Sequence, residues 1–437
     1  MGNSPDAVVI GAGIFGCGIT FELARRGLEV VCVDMNSAPG MGSTSASGAI
    51  LRFNYSTVAA ARLAWEGNQY WENFADYLET DVDGEVARKV TTGKLFLRHI
   101  DELNELYVRV LNEANVPFED WDAQQVADRF PFLSLDDYGG PCPIDDERFW
   151  NPPLGSHKGG LYTPDAGYVK GPQLAAQNLH AAAVAKGATF VFNRRVTGLV
   201  TTLDGSRATG VELSDGTTVE AGAVVAVGGP WSSGLVKMAG LDGSMAITTR
   251  PMRHEAHVAP APKEIDFDAD GAIFADLDQG MYFRPDGANT IFVGSADPEC
   301  DGHEWVDDLD TMNREITEPI WNRQMMRLAK RIPNFGVPHQ RMGVAEAYDV
   351  STDWGPVYDR TDLDGFFVAM GTSGNQFKNA CVASNLMAEL ITAVGGGHDH
   401  DTSPLQVRAR FTGDTIDMSA FSRNRAVNAD STGTVLG

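Results

Sequence analysis

The chain has 437 residues, enough for two or three domains with ample buried core. Its 59 acidic residues against 34 basic ones give a formal charge of -25, which repels a phosphate backbone and provides no basic stripe for nucleic acid. No run approaches the roughly 20 apolar residues of a membrane span. The opening MGNSPD has neither the charged nor the apolar region of an export signal, so a soluble cytoplasmic protein is expected. Cys17, Cys32, Cys142, Cys300 and Cys381 lie far apart with no CxxC pair, a pattern of reduced thiols rather than of a disulfide framework or a zinc site.

Residues 7–34 read AVVIGAGIFGCGITFELARRGLEVVCVD: a short apolar strand, a glycine-rich turn, a helix, and a second apolar strand ending in an acid. Gly11 permits the tight turn, Gly13 lets the backbone approach a pyrophosphate, and Gly16 lets the helix pack closely on the strand. Asp34 is placed to accept hydrogen bonds from a ribose. All parts occur in the required order, so a dinucleotide is expected; FAD and NAD share this fingerprint, and the motif alone does not choose between them.

A small, hydroxyl-rich loop follows, GMGSTSASGAILR at 40–52, ending in Arg52. Farther on, TGVELSDGTTVEAGAVVAVGGPW at 209–231 alternates apolar and polar residues, turns at Asp215 and Gly216, and runs as a buried strand into Gly228 and Gly229. This pattern predicts a meander returning to a nucleotide-binding sheet. The acidic run at 264–278 lacks the ligand spacing of an EF-hand.

GTSGNQFKNA at 371–380 precedes an apolar helical pattern at Ala380, Ala383, Met387, Leu390, Ile391 and Val394. A lysine at a helix start sits against the positive end of the macrodipole, at a cost of roughly 0.3–1 kcal/mol, so Lys378 calls for a nearby anion. GGGHDHD at 395–401 reads as a helix-end loop and not as a metal site. The polar tail beyond Gly395 reads as a surface extension or partly disordered end.

With these pieces in order, the chain resembles the FAD-dependent D-amino-acid oxidase superfamily, most closely its sarcosine oxidase and dimethylglycine dehydrogenase branch, with glycine oxidase among the relatives. The matching stretches are the N-terminal fingerprint with Asp34, GST at 42–44 with Arg52, PDAGYV at 164–169, VVAVGGPWS at 224–232, YFRPDG at 282–287, AYDVSTDWGPV at 347–357 and GTSGNQFK at 371–378. The resemblance implies FAD and an α/β architecture: a Rossmann-like FAD-binding domain assembled from residues 1–88, 155–248 and 341–395, and a discontinuous substrate domain, mainly antiparallel β-sheet with helices, from 89–154 and 249–340. Residues 396–437 are then a C-terminal extension.

By the same resemblance, the cofactor contacts fall on Gly11, Gly13, Ile14, Gly16 and Asp34, on Gly42, Ser43 and Thr44, and on Val196, Gly228 and Trp231. The last group is Gly371, Gly374, Asn375, Gln376, Phe377 and Lys378; in it the backbone N–H groups from Gly374 to Phe377, at a helix start, favour the negative charge of a reduced flavin. Arg52 and Lys378 match the pair that binds the substrate carboxylate in the sarcosine oxidase branch, and Arg284 matches a carboxylate-binding arginine of glycine oxidase. Tyr282, Tyr348 and His254 are candidates to line the pocket. Ala46 and Glu346 stand nearest to the positions that carry covalent flavin in some members, so noncovalent FAD is expected. Phe292 stands near the position of an oxygen-activating lysine, which leaves oxygen or an unidentified carrier as the electron acceptor.

The activity implied is oxidation of the C–N bond of a small amino acid, favouring a secondary or N-methyl amine such as sarcosine, by hydride transfer to flavin N5 and hydrolysis of the resulting imine. Two alternatives are a 2-hydroxy-acid dehydrogenase with His254 as base and an FAD-holding subunit of a multi-subunit amine dehydrogenase.

Overall fold

Strand Ala7–Ile10 is buried on both faces, as its uniformly apolar sequence AVVI requires of a central parallel strand. In the computed structural model, which describes residues 4–82 and 84–436, it lies in a six-stranded sheet. The first residues of the MGNSPD opening, 1–3, lie outside the described residues. The sheet order is Thr189–Val191, Val30–Val33, Ala7–Ile10, Ala223–Ala226, Phe366–Met370 and Val357–Arg360. The first five strands are parallel and the last is antiparallel.

Helix Ile14–Ala24 is buried along its whole length, because it is covered by helices Pro172–Ala185 and Ala380–Gly395 as well as by the sheet. Its one acid, Glu22, accepts from Tyr77 Oη at 2.6 Å and pairs with Arg25 and Arg26, so the charge is not left bare. Cys17, Cys32 and Cys381 are small buried side chains of the same core. The meander expected at 209–231 is formed by Val196–Thr201, Ala208–Leu213 and Thr218–Glu220, after which Ala223–Ala226 enters the parallel sheet.

A nine-stranded, mainly antiparallel sheet forms the second layer around Thr249–Pro260. Helix Glu318–Arg331 covers one face, burying Trp321, Met325 and Leu328 against Phe274, Phe283 and Val293. Two strands within segments expected in the FAD domain hydrogen-bond into this sheet instead. Gly159–Thr163 pairs with Lys94–Leu97, and Gly343–Ser351 pairs with Thr249–Pro260 over nine residues. The chain thus crosses between layers several times, and the groove between them is lined from both.

The segment beyond Gly395 is not a surface extension. Gln406–Arg408 and Thr415–Asp417 form a hairpin, and Ile416, Met418 and Phe421 are buried in the core of the first layer. Arg423, 1% exposed, bonds Asp359, Asp362 and Asp401, while Arg425 grips Asp353 with two nitrogens. His400 accepts from the Leu405 amide, so the GGGHDHD stretch is tied into this turn. Among the described residues no helix is long and apolar enough to cross a membrane.

Candidate functional site

A cavity of about 580 Å³ runs between the two layers. At one end lies the first turn of the chain. Gly11 has φ 108°, and a Cβ there would meet Val227 O at 2.4 Å; a Cβ on Gly16 would meet Gly11 O at 1.7 Å. Only glycine allows this turn and this helix approach. Gly13 caps the helix without a side-chain bond, the Ile14 amide donates to Thr44 Oγ1 at 3.1 Å, and the Ala12 and Asn36 amides donate to Asp34 at 2.6 and 2.7 Å. Gly11, Gly13, Ile14, Gly16, Asp34, Gly42, Ser43, Thr44, Val196, Gly228 and Trp231 all line this part of the cavity. Ser43 Oγ donates to Ala347 O at 2.8 Å, tying the hydroxyl loop to a strand of the second layer. A pyrophosphate fits here because the helix start presents its positive end to a turn with no side chains in the way.

Gly374, Asn375, Gln376, Phe377 and Lys378, in the turn that follows strand Phe366–Met370, also line the cavity. Gly374 has φ 68°, and a Cβ on it would strike the Tyr348 ring at 2.4 Å. Gly371 does not line the cavity, contrary to expectation. Its amide donates to Asp349 Oδ2 at 2.6 Å, so its part is to hold the turn. Asp349 does line the cavity, and burial pushes its carboxyl up to about 7 although the Gly371 amide pulls the other way.

Elsewhere in the cavity lining, Arg52 and Lys378 converge on Tyr55. The Arg52 guanidinium lies 4.2 Å from the Tyr55 ring centre and Lys378 Nζ donates to Tyr55 Oη at 2.8 Å. Arg52 also donates to the carbonyls of Asn54 and Val435, the latter at 2.8 Å, and Lys378 donates to Asn375 O. A third cation joins them. Lys94 Nζ donates to Asn54 Oδ1 at 2.8 Å, and Lys94, Arg52 and Lys378 line the same cavity. Burial pushes both lysines well below the ordinary lysine range, and the Arg52 charge pushes them further.

Tyr282, Tyr348 and His254 line the cavity too. The His254 ring stacks on Tyr348 at 4.5 Å, and its Nδ1 lies 3.2 Å from Asp297 Oδ1, while its buried Nε2 has no partner among the described residues. Arg284 does not line the cavity. Its guanidinium bonds Gly48 O, Pro285 O and Asp286 and is stacked between Tyr168 and Phe292, so it braces a strand against the hydroxyl loop.

Sequence reasoning missed Lys94, Asp297, Asp349, Tyr55, Val435 and Leu436. For Lys94 the only signal was a lysine opening the apolar run KLFL, all four residues of which are buried. Val435 and Leu436 enter the cavity from the tail that reads as polar.

The fold and this cavity define a dinucleotide-binding protein of the α/β class. Residues 6–390 match the DAO family model, FAD dependent oxidoreductase, and the chain belongs to that family. No curated protein sequence matches it. Among solved structures it is similar to the L-proline dehydrogenase from P. horikoshii, with a TM-score of 0.72, 22% identity, and coverage of 90% of this chain and 95% of that one. The glycine oxidase from Geobacillus kaustophilus gives 0.71 at 20% identity over 97% and 99% of the two chains. The L-α-glycerophosphate oxidase from Mycoplasma pneumoniae, solved dithionite-reduced with FAD bound, gives 0.69 at 14% identity over 90% and 95%.

Proposed function

We propose that the protein oxidises the C–N bond of a small amino acid, preferring a secondary or N-methyl amine such as sarcosine, with noncovalently held FAD. The observation that carries this reading is the meeting of two buried cations, Arg52 and Lys378, in the cavity that also holds the glycine-turn helix start. The glycine turn, Asp34 and the 42–44 loop would hold the dinucleotide, and Ala46 and Glu346, both lining the cavity, offer no group for covalent attachment. FAD, when bound, would supply the two-electron acceptor for oxidation of the carbon beside the nitrogen.

Arg52 and Lys378 orient the substrate through its carboxylate, and such orientation supplies several kcal/mol of barrier reduction. The substrate amine must be neutral when it reacts, so the rate rises with pH through its bound pKa. No protein base is needed for that step. The names of the proline dehydrogenase and glycine oxidase neighbours agree with a small amino or imino acid.

A second reading rests on the His254 and Asp297 pair. A histidine beside an acid, among the residues that line the cavity, is what a 2-hydroxy acid needs for removal of its hydroxyl proton. The name of the glycerophosphate oxidase neighbour agrees with a donor other than an amino acid.

The test is an anaerobic visible spectrum of the purified protein with N-methyl, cyclic and primary amino acids and the matching 2-hydroxy acids, followed by air. Bleaching of the flavin band by an amine, largely kept in His254→Ala, supports C–N oxidation. Bleaching by a hydroxy acid that His254→Ala abolishes supports the second reading. Rapid return of the band in air marks an oxidase, and slow return marks transfer to another carrier. Silence across the panel points to a partner-dependent FAD subunit.

A further inference from the structure

Arg52, Lys94 and Lys378 are 5%, 2% and 2% exposed and gather around the dipeptide Asn54 and Tyr55. Among the described residues, every hydrogen-bond partner of the three is a neutral oxygen: the carbonyls of Asn54, Asn375 and Val435, the Asn54 amide oxygen and the Tyr55 hydroxyl. The acids of the same cavity are engaged elsewhere. Asp34 accepts from Ala12 and Asn36, Glu346 lies 3.4 Å from Arg314, and Asp349 accepts from Gly371.

A buried cation with no counter-charge is unfavourable, and an arrangement of three is kept where a ligand supplies the anions. One carboxylate between Arg52 and Lys378 answers two of them. Lys94 stands apart on Asn54, whose amide nitrogen is itself buried without a partner. Lys94 Nζ, held on Asn54 and lining the cavity, is thus the cation left for a second carboxylate.

We propose that the preferred substrate is an amino or imino acid bearing two carboxylates, the first held by Arg52 and Lys378 and the second by Lys94. This rests on the amino-acid reading above and narrows it.

The experiment is calorimetric titration of the holoenzyme with unreactive dicarboxylates (malonate, succinate, glutarate) and monocarboxylates (propionate, butyrate), backed by ligand-induced shifts in melting temperature. The best dicarboxylate is expected to bind at least tenfold more tightly than the best monocarboxylate. Lys94→Met should reduce that ratio to within about twofold, and Lys94→Arg should keep most of it.

Equal affinities in the parent protein overturn the proposal, as does a ratio that survives in Lys94→Met. A Lys94→Met whose sole change is slower return of the flavin band in air also overturns it, in favour of an oxygen-facing cation. If Lys94→Met fails to fold, the parent ratio and Lys94→Arg decide. Failure of the amino-acid reading shows separately, as absence of bleaching by any amine, and leaves the dicarboxylate ratio as measured.

Discussion

Arg331 and the group Arg52, Lys94 and Lys378 are all buried, yet only Arg331 meets acids. Its Nε donates to Asp276 at 2.7 Å and its Nη2 to Asp278 at 2.9 Å, while Nη1 donates to the carbonyls of Ser134 and Asp136. Asp278 is held well below the usual carboxylate range, its hydrogen bonds and the Arg331 charge outweighing burial. His157, Asp276 and Asp278 stand close enough to one another to hold a metal ion, and the guanidinium already satisfies them. A balanced cluster of this kind closes on itself and fastens helix Glu318–Arg331 to the sheet. The group in the cavity has donors left over and no acid, so its balance must come from outside the chain.

Breaking the balanced cluster should have the largest effect. Arg331→Met leaves two carboxylates buried without their cation, a loss of about 3–5 kcal/mol, and the melting temperature should fall by many degrees if the protein is recovered at all. Thermal unfolding of parent and variant measures it. A variant as stable as the parent would mean that water replaces the guanidinium and that the cluster does not fasten the helix.

The cavity group should respond in the opposite way. Lys378→Ala and Arg52→Ala should each raise the Kd of a carboxylate inhibitor tenfold or more, about 1.4 kcal/mol. For Lys378→Met, which keeps the stem packed, the melting temperature without ligand should stay level or rise, since an unpaired buried ammonium is removed. Binding by both alanine variants as tight as the parent's would sink the clamp, and a large loss of stability in Lys378→Met would place it with Arg331.

The contrast between these clusters was only half legible in the sequence. Gly11, Gly13, Gly16 and Asp34 could be read because a turn, a helix start and a strand end are local and their spacing is the signal. Lys378 could be read because a cation at a helix start needs a reason. Lys94 could not, since a lysine opening a strand is ordinarily exposed, and its burial depends on pairing with Ile273 and Thr163, far away in the chain. The surroundings of Arg284 are hidden for the same reason: its neighbours Gly48 and Tyr168 are brought to it by the fold. Strands Gly159–Thr163 and Gly343–Ser351 have partners that spacing does not reveal. In the tail, single apolar residues among polar ones form no period, although Val407, Ile416, Met418 and Phe421 are all buried.

The smallest expected effect separates the acid in the cavity from its cations. Burial pushes Asp349 up to about 7, whereas in the unfolded chain an aspartate titrates near about 3.9. Between those values the folded protein holds a proton that the unfolded chain has lost, so this contribution to stability is full below about pH 4 and is lost as pH rises through about 7. Lys94 and Lys378 run the other way. Their folded values lie well below the ordinary lysine range, so the unfolded chain holds the extra protons and their contribution grows as pH rises toward that range. Asp349→Asn should therefore flatten the fall in melting temperature between about pH 5 and pH 7.5, by about 1–2 °C, and leave the alkaline limb unchanged. Melting curves across that interval decide it. A variant profile that overlays the parent through this window would show that Asp349 is ionised at both ends of it, with the Gly371 amide outweighing burial.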